Sequence, residues 1–169
     1  MESDITLALL TPKHITQEYV DWFNDPKVTR HSENQYRCFS IEGQLRYIDE
    51  MTESQTDHLY GIFDGNLHIG NVTLSSINFN HRRGEISYVI GLTNYWGHGI
   101  ASHAVEAICE IARKEFMLHK VVAGCSSMNI SSQKVLERNN FQLEGTRKQH
   151  LYFDDQWEDQ LDYGRILSQ

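Results

Sequence analysis

The stretch Gly84–Phe116, GEISYVIGLTNYWGHGIASHAVEAICEIARKEF, constrains this chain more than any other. Ile86–Ile90 is rich in β-branched and aromatic residues and predicts a strand. Asn94–Gly99 follows as a turn, with Gly97 and Gly99 spaced by one residue. From Ile100 onward Ile100, Ala101, Ala104, Val105, Ile108, Ile111 and Ala112 recur at three- and four-residue steps, which predicts a helix. A strand that runs through glycines into a helix leaves the N–H groups of the first helical turn free, at the positive end of the helix dipole. Glycine has no Cβ, so an anion can approach the backbone there. Two known phosphate loops are excluded. No Gly-Lys-Ser/Thr follows, as a Walker loop requires. Ser102 stands three residues after Gly99, where the dinucleotide fingerprint has Gly or Ala. A tight turn with no ligand would give the same local pattern, so the rest of the chain must decide.

At 169 residues the chain is long enough for a sizeable core, and one domain spanning 1–169 is expected. A net charge of −8 disfavours nucleic acid and anionic membrane surfaces as partners. MESDITLALL lacks the basic region of a leader, and no run approaches the roughly 20 apolar residues of a membrane span. Cys38, Cys109 and Cys125 have no metal-type spacing and read as reduced thiols of a cytoplasmic protein. The histidines share no ligand spacing either, so no metal is expected.

Taken in order, Ile5–Leu10 reads as a strand. Thr11-Pro12 opens a helix over His14–Phe23, and Asn24-Asp25-Pro26 stops it. Lys27–Phe39 is polar and irregular. Ser40 caps a helix whose apolar stripe is Ile41, Leu45, Ile48 and Met51. Strands at 58–63 and 67–77 flank a hairpin turn at Asp64-Gly65-Asn66. Asn80–Arg83 is a basic loop before the central strand. After the central helix come a strand over Lys120–Cys125, a short helix over Ser131–Asn139, and strands over Gln142–Phe153 and Trp157–Leu167 joined at Asp154-Asp155. Asn140 suits the left-handed position that ends a helix. The last strand, Trp157–Leu167, reads as an exposed edge, which would permit a homodimer.

The segment Asn94-Tyr95-Trp96-Gly97-His98-Gly99 resembles the pyrophosphate loop of the GNAT superfamily of acyl-CoA N-acyltransferases, whose pattern is Gln/Arg-x-x-Gly-x-Gly/Ala. The Trp-Gly-x-Gly form is similar to the RimJ/RimL branch of ribosomal-protein acetyltransferases. Asn94 departs from the pattern at its first position. A second block, Asn129–Phe141, resembles the family's Asn-x-x-Ser, helix, Gly-Phe segment, with Asn140 in place of Gly. With its flanking strands the resemblance spans about Ile5 to Leu167. It implies an α+β fold: a mixed, largely antiparallel sheet with a splayed central parallel strand pair, flanked by helices on both faces.

The resemblance also implies roles. Acetyl-CoA would be the co-substrate. Its diphosphate would meet the backbone of Gly97, His98, Gly99, Ile100 and Ala101, with Trp96 packed under the loop or stacked on adenine. Its pantetheine would lie along Tyr88, Val89 and Ile90 as an added strand, contacting Asn129 and Ser132. Lys134 would meet the ribose phosphate or stay a solvated helix lysine. Forming an amide from a thioester needs a neutral amine, a polarised carbonyl and a proton for the leaving thiolate. Direct attack needs no enzyme nucleophile. Glu85 is the candidate base, with a solvated strand-end carboxylate as the plain alternative. Ser132 and Tyr152 are the candidate acids. Asn129 and Ser131 both stand where a helix cap could be; capping is expected of Ser131 and cofactor contact of Asn129. Cys125 could face the sulfur or be a core thiol. The acceptor would lie among Arg30, His31, Tyr36, Arg82 and Trp157; Arg30, His31, Arg37, Arg82 and Arg83 would suit an acidic acceptor, Tyr36, Tyr152 and Trp157 a stacked ring, and Asp154, Asp155 and Glu158 a cationic amine.

The expectation is an acetyl-CoA-dependent N-acetyltransferase acting through a ternary complex on a primary amine, either a protein N-terminus or a small molecule such as an amino sugar. The alternative is a non-catalytic acyl-CoA-binding regulatory module.

Overall fold

The computed structural model describes residues 4–167. Met1–Ser3, part of the segment read for a leader, and the last two residues lie outside that range. The elements in order are β1 (Ile5–Leu9), α1 (Gln17–Asn24), α2 (Pro26–Thr29), α3 (Ile41–Glu53), β2 (His58–Asp64), β3 (Leu67–Asn78), β4 (Arg83–Ile90), α4 (Ile100–Lys114), β5 (Lys120–Ser126), α5 (Ile130–Arg138), β6 (Gln142–Phe153) and β7 (Gln156–Ile166). They build one seven-stranded sheet in the order β1-β2-β3-β4-β5-β7-β6. Every neighbouring pair is antiparallel except β4 with β5. This is the α+β arrangement expected.

The parallel pair determines the site. β4 and β5 are in register only at Arg83↔Lys120, Gly84↔Val121 and Glu85↔Val122. Beyond Glu85, β4 stays bonded to β3 through Ile90, and β5 stays bonded to β7 through Ser126. The two strands therefore part, and alternate backbone groups of Tyr88–Ile90 face a gap instead of a neighbour.

Helices cover the sheet on both faces. α4 lays Ile100, Ala104, Val105, Ile108, Cys109 and Ala112 against Val72, Leu74, Ile86 and Val121, with Leu136 of α5 beside them. The 3.6-residue period of that apolar stripe makes the helix, and each fully buried aliphatic side chain contributes about 1.5–3 kcal/mol. On the opposite face α1 and α3 bury Tyr19, Val20, Trp22 and Ile48 against Leu59 and Phe63.

Several boundaries differ from expectation. Thr11-Pro12 opens only a short 3-10 turn over Pro12–His14. α1 begins at Gln17, where Thr16 accepts the Tyr19 N–H at 3.2 Å. The polar segment after Asn24 is two short helical turns, α2 capped by Asp25 and Glu33–Tyr36 capped by Ser32. Ser40 caps α3 as expected, but Ile41 stays 38% exposed at the helix start. The edge assignment was wrong. The strand read over Trp157–Leu167 is β7, Gln156–Ile166, which lies between β5 and β6, so the free edges are β1 and β6. Asn140 takes the left-handed conformation, φ 60°, that the sequence anticipates.

Between α3 and β2, Asp57 accepts the Ser76 N–H at 2.9 Å, the Thr56 hydroxyl at 2.7 Å and the Ser54 hydroxyl at 3.0 Å. The Ser76 N–H above all, with the two hydroxyls, holds the carboxyl below its usual range. A depressed folded-state pKa stabilises fully above the unfolded value near 4, and this is lost as pH falls through the folded value. At this half-exposed site Asp57→Asn should cost about 1 kcal/mol at pH 7, and the cost should shrink as pH falls through the folded value, read as urea midpoints along an acid pH series. No helix among the described residues is long and apolar enough to cross a membrane.

Candidate active site

The loop after β4 turns once through Thr93–Tyr95 and then passes two left-handed glycines, Gly97 and Gly99, both at φ 80°. Gly99 is the N-cap of α4 and offers no side chain to its first turn. Among the described residues no carbonyl or side chain accepts from the N–H groups of Gly97 through Ser102. Free donors converge there at the positive end of a 15-residue helix. A Cβ built on either glycine meets no protein atom within 4 Å, so the backbone lies open to a ligand. The loop itself is anchored. Tyr95 Oη donates to Asp64 at 3.0 Å, and Trp96 Nε1 donates to the Ile90 carbonyl at 2.9 Å. Trp96 thus packs at the strand end, and it takes the Ile90 carbonyl out of any further ladder. Ser102, which broke the dinucleotide pattern, accepts Asn139 Nδ2 at 2.8 Å and so joins α4 to the end of α5.

Across the gap stands α5. Asn129 Oδ1 caps it by accepting the Ser132 N–H at 3.1 Å, while Ser131 is exposed and caps nothing. Capping therefore falls on Asn129 and not on Ser131. The Asn129 amide nitrogen is left to donate elsewhere. The Ser132 hydroxyl lies 2.7 Å from Tyr88 Oη, reached across the splay. Cys125 of β5 shares this corner. It is 9% exposed, and burial pushes its thiol up to about 11 against the opposing effect of the Ser132 hydroxyl, so it is protonated at neutral pH. It reads as a core thiol beside the site.

A cleft of about 1390 Å³ joins these parts. Tyr88, Val89 and Ile90 line it, as do Trp96, Gly97, Gly99, Ile100 and Ala101 from the loop side. Asn129, Ser132 and Lys134 line it from α5, and Arg30 and His31 from the far wall. His98 is exposed and does not line the cleft. Glu85 is the last residue of β4 paired with β5. It is exposed on the sheet face it shares with Ser87 and Val89, one step below the residues that line the cleft.

Arg82, Tyr36, Tyr152 and Trp157, also expected at the site, do not line the cleft either. Arg82 has φ 50° and donates from Nε to the Met117 carbonyl at 2.8 Å, at the end of β4 opposite the splay. Tyr152 turns its hydroxyl toward Asp155 and packs on Trp157, with ring centroids 4.9 Å apart. A register break between Arg147 and Leu151 precedes it on β6. Trp157 is 63% exposed. Tyr36 donates its hydroxyl to the Tyr152 carbonyl and stacks on Phe153. Together with the Arg30–Asp154 pair at 3.5 Å, this contact straps the segment after α2 to the β6–β7 hairpin tip.

Other groups were not singled out by the sequence. Asn71 donates to Tyr19 Oη at 3.1 Å, which donates to Gln44 Oε1 at 3.3 Å, a buried polar chain along the cleft floor. The lone Asn in IGNVTL was the available signal. Glu158 accepts the Ser126 hydroxyl beside His31. Burial holds the His31 imidazole below its usual range despite Glu158, and its buried Nδ1 has no partner among the described residues. No group of three or more metal-binding side chains converges among the described residues.

Comparison with known proteins agrees with this geometry. The family described as Acetyltransferase (GNAT) domain matches residues 4–142. The probable N-acetyltransferase YjcK of Bacillus subtilis is 32% identical over 132 residues, covering 72% of this chain and 70% of that protein. The ribosomal-protein-serine acetyltransferase of Escherichia coli is 30% identical over 109 residues, covering 64% of this chain and 60% of that protein. It falls in the branch that the Trp-Gly-x-Gly loop suggested. Among solved structures, spermidine N-acetyltransferase from Vibrio cholerae in complex with CoA and spermine superposes with a TM-score of 0.87 at 17% identity, covering 96% of this chain and 95% of that one. The chain belongs to the GNAT family and is an N-acetyltransferase.

Proposed function

We propose that the protein transfers an acetyl group from acetyl-CoA to a primary amine by direct attack in a ternary complex. The observation that carries this reading is the row of unpartnered N–H groups from Gly97 to Ser102 at the head of the β4–β5 gap. Those donors suit a diphosphate. The freed edge of β4 suits the amides of a pantetheine arm. An N–H of that edge would polarise the thioester carbonyl. Asn129 and Lys134 fit contacts to the arm and the ribose phosphate, with Trp96 holding the loop in place.

Ser132 is the proposed proton donor to the leaving thiolate, since the residue lines the cleft and Tyr152 turns away. Glu85 is the proposed base, taking the amine proton through water along the Ser87 side of the strand. Glu85→Gln should then lower kcat by roughly 100-fold on the acid side of neutrality and less above it. A pH–rate profile of unchanged shape would remove Glu85 from the role. The acceptor enters past Arg30 and His31. The resemblance to a ribosomal-protein-serine acetyltransferase supports a protein N-terminus, and a small-molecule amine is the alternative.

The test is release of CoA thiol from acetyl-CoA against short peptides, polyamines, amino sugars and amino acids. Turnover with one class above the no-acceptor rate supports the reading. CoA binding without turnover on any amine would favour the regulatory module, and no CoA binding at all would defeat both.

A further inference from the structure

We propose that the Tyr88 side chain is a positioning residue for thioester cleavage, acting through Ser132; this rests on the reading of the cleft as an acetyl-CoA site. Tyr88 lies past the last β4 residue paired with β5, so its ring has no strand beside it on that side. The ring instead crosses the gap to α5. There Oη lies 2.7 Å from Ser132 Oγ and 3.3 Å from the Ser132 carbonyl. The shorter contact is the better hydrogen bond, and a carbonyl can only accept.

Burial raises the Tyr88 pKa well above the usual phenol range, so its proton stays on oxygen wherever the enzyme works. A phenol that donates to Ser132 Oγ leaves the serine's own hydrogen free to point elsewhere. Its other neighbour, the Cys125 thiol, is itself protonated and a weak acceptor. With the phenol held on its oxygen, the serine donates to no backbone carbonyl among the described residues, and its hydrogen is left for a sulfur that arrives in the gap. The amine nitrogen bonds to the carbonyl carbon and the carbon–sulfur bond breaks. The electron pair stays on sulfur, which takes the Ser132 proton. Ser132 is reprotonated from water, and the amine's proton leaves by way of the base. Tyr88 keeps its proton throughout. Without the phenol, the serine hydroxyl is free to turn onto a backbone carbonyl, as hydroxyls in helices do.

The experiment compares Tyr88→Phe, Ser132→Ala and the double variant with wild type, using acetyl-CoA and the best amine of the panel. CoA affinity is measured calorimetrically on each. Tyr88→Phe keeps the ring in place, and retained CoA affinity reports an intact site. The expected result is a fall in kcat of about 10- to 100-fold for Tyr88→Phe, with CoA affinity within about twofold of wild type. The double variant should be no slower than Ser132→Ala, because Tyr88 acts only through that hydroxyl. A kcat equal to wild type, further slowing in the Ser132→Ala background, or CoA affinity lost in parallel with kcat would each overturn the proposal. A wild-type protein that turns over no amine would overturn it together with the functional reading.

Discussion

Gly99→Val should weaken coenzyme A binding by at least about 100-fold while leaving a folded protein. Gly99 sits at φ 80°, where a β-branched residue is strained. Relief of that strain rotates the peptide and re-aims the N–H groups at the start of α4. The new methyl groups would also fill the space in front of those donors, which no protein atom occupies within 4 Å. Losing two hydrogen bonds to a charged group is worth about 3 kcal/mol or more, which is the 100-fold. The strain itself should lower stability by only about 1–2 kcal/mol. Calorimetric titration with coenzyme A and urea unfolding separate the two effects. An unchanged dissociation constant would mean that the diphosphate is held elsewhere.

Gly91→Ala should be the most damaging single methyl group added to this fold, costing about 3 kcal/mol or roughly 6–12 °C in Tm. A Cβ there would lie 2.0 Å from Cδ2 of Trp22. That ring is buried and wedged between Tyr19 at 5.5 Å and His68 at 5.0 Å, so it has nowhere to retreat. Gly91 also donates its N–H to the Ile69 carbonyl at 2.9 Å, fixing the end of β4 just before the loop. Displacing it should weaken coenzyme A binding as well. A melting temperature within 2 °C of wild type, well under the predicted loss, would show that Trp22 can move aside.

What the sequence disclosed follows the range of the interactions. The strand–glycine–helix stretch was legible because two periodicities meet at residues that only a left-handed turn requires. The Asp64-Gly65-Asn66 hairpin was legible for the same local reason. The start of α1 was misplaced because Thr11-Pro12 reads locally as a helix opening, whereas the helix that packs Tyr19 and Val20 on β2 is capped by Thr16. The edge strand was misread because insertion of β7 between β5 and β6 is a pairing choice that chain order does not encode.

The site divides in the same way. Its backbone half, the glycine loop and the parted strand, is written in residues close together in sequence. Its side-chain half is not: Tyr88 and Ser132 are 44 positions apart and meet only because β4 and β5 diverge. Arg82 looked available because it adjoins the central strand, yet the direction of β4 carries it to the opposite end. Tyr152 was in the right strand, but a register break on β6 precedes it and its hydroxyl faces Asp155.

The most direct measurement is a backbone amide NMR titration of the full chain with coenzyme A. If the loop grips the diphosphate, the largest shift changes will fall on Gly97 through Ser102, with a second set along Tyr88–Ile90, and all will saturate together. Saturable binding that leaves the Gly97–Ser102 amides unmoved, or a spectrum that does not respond to coenzyme A at all, would contradict it.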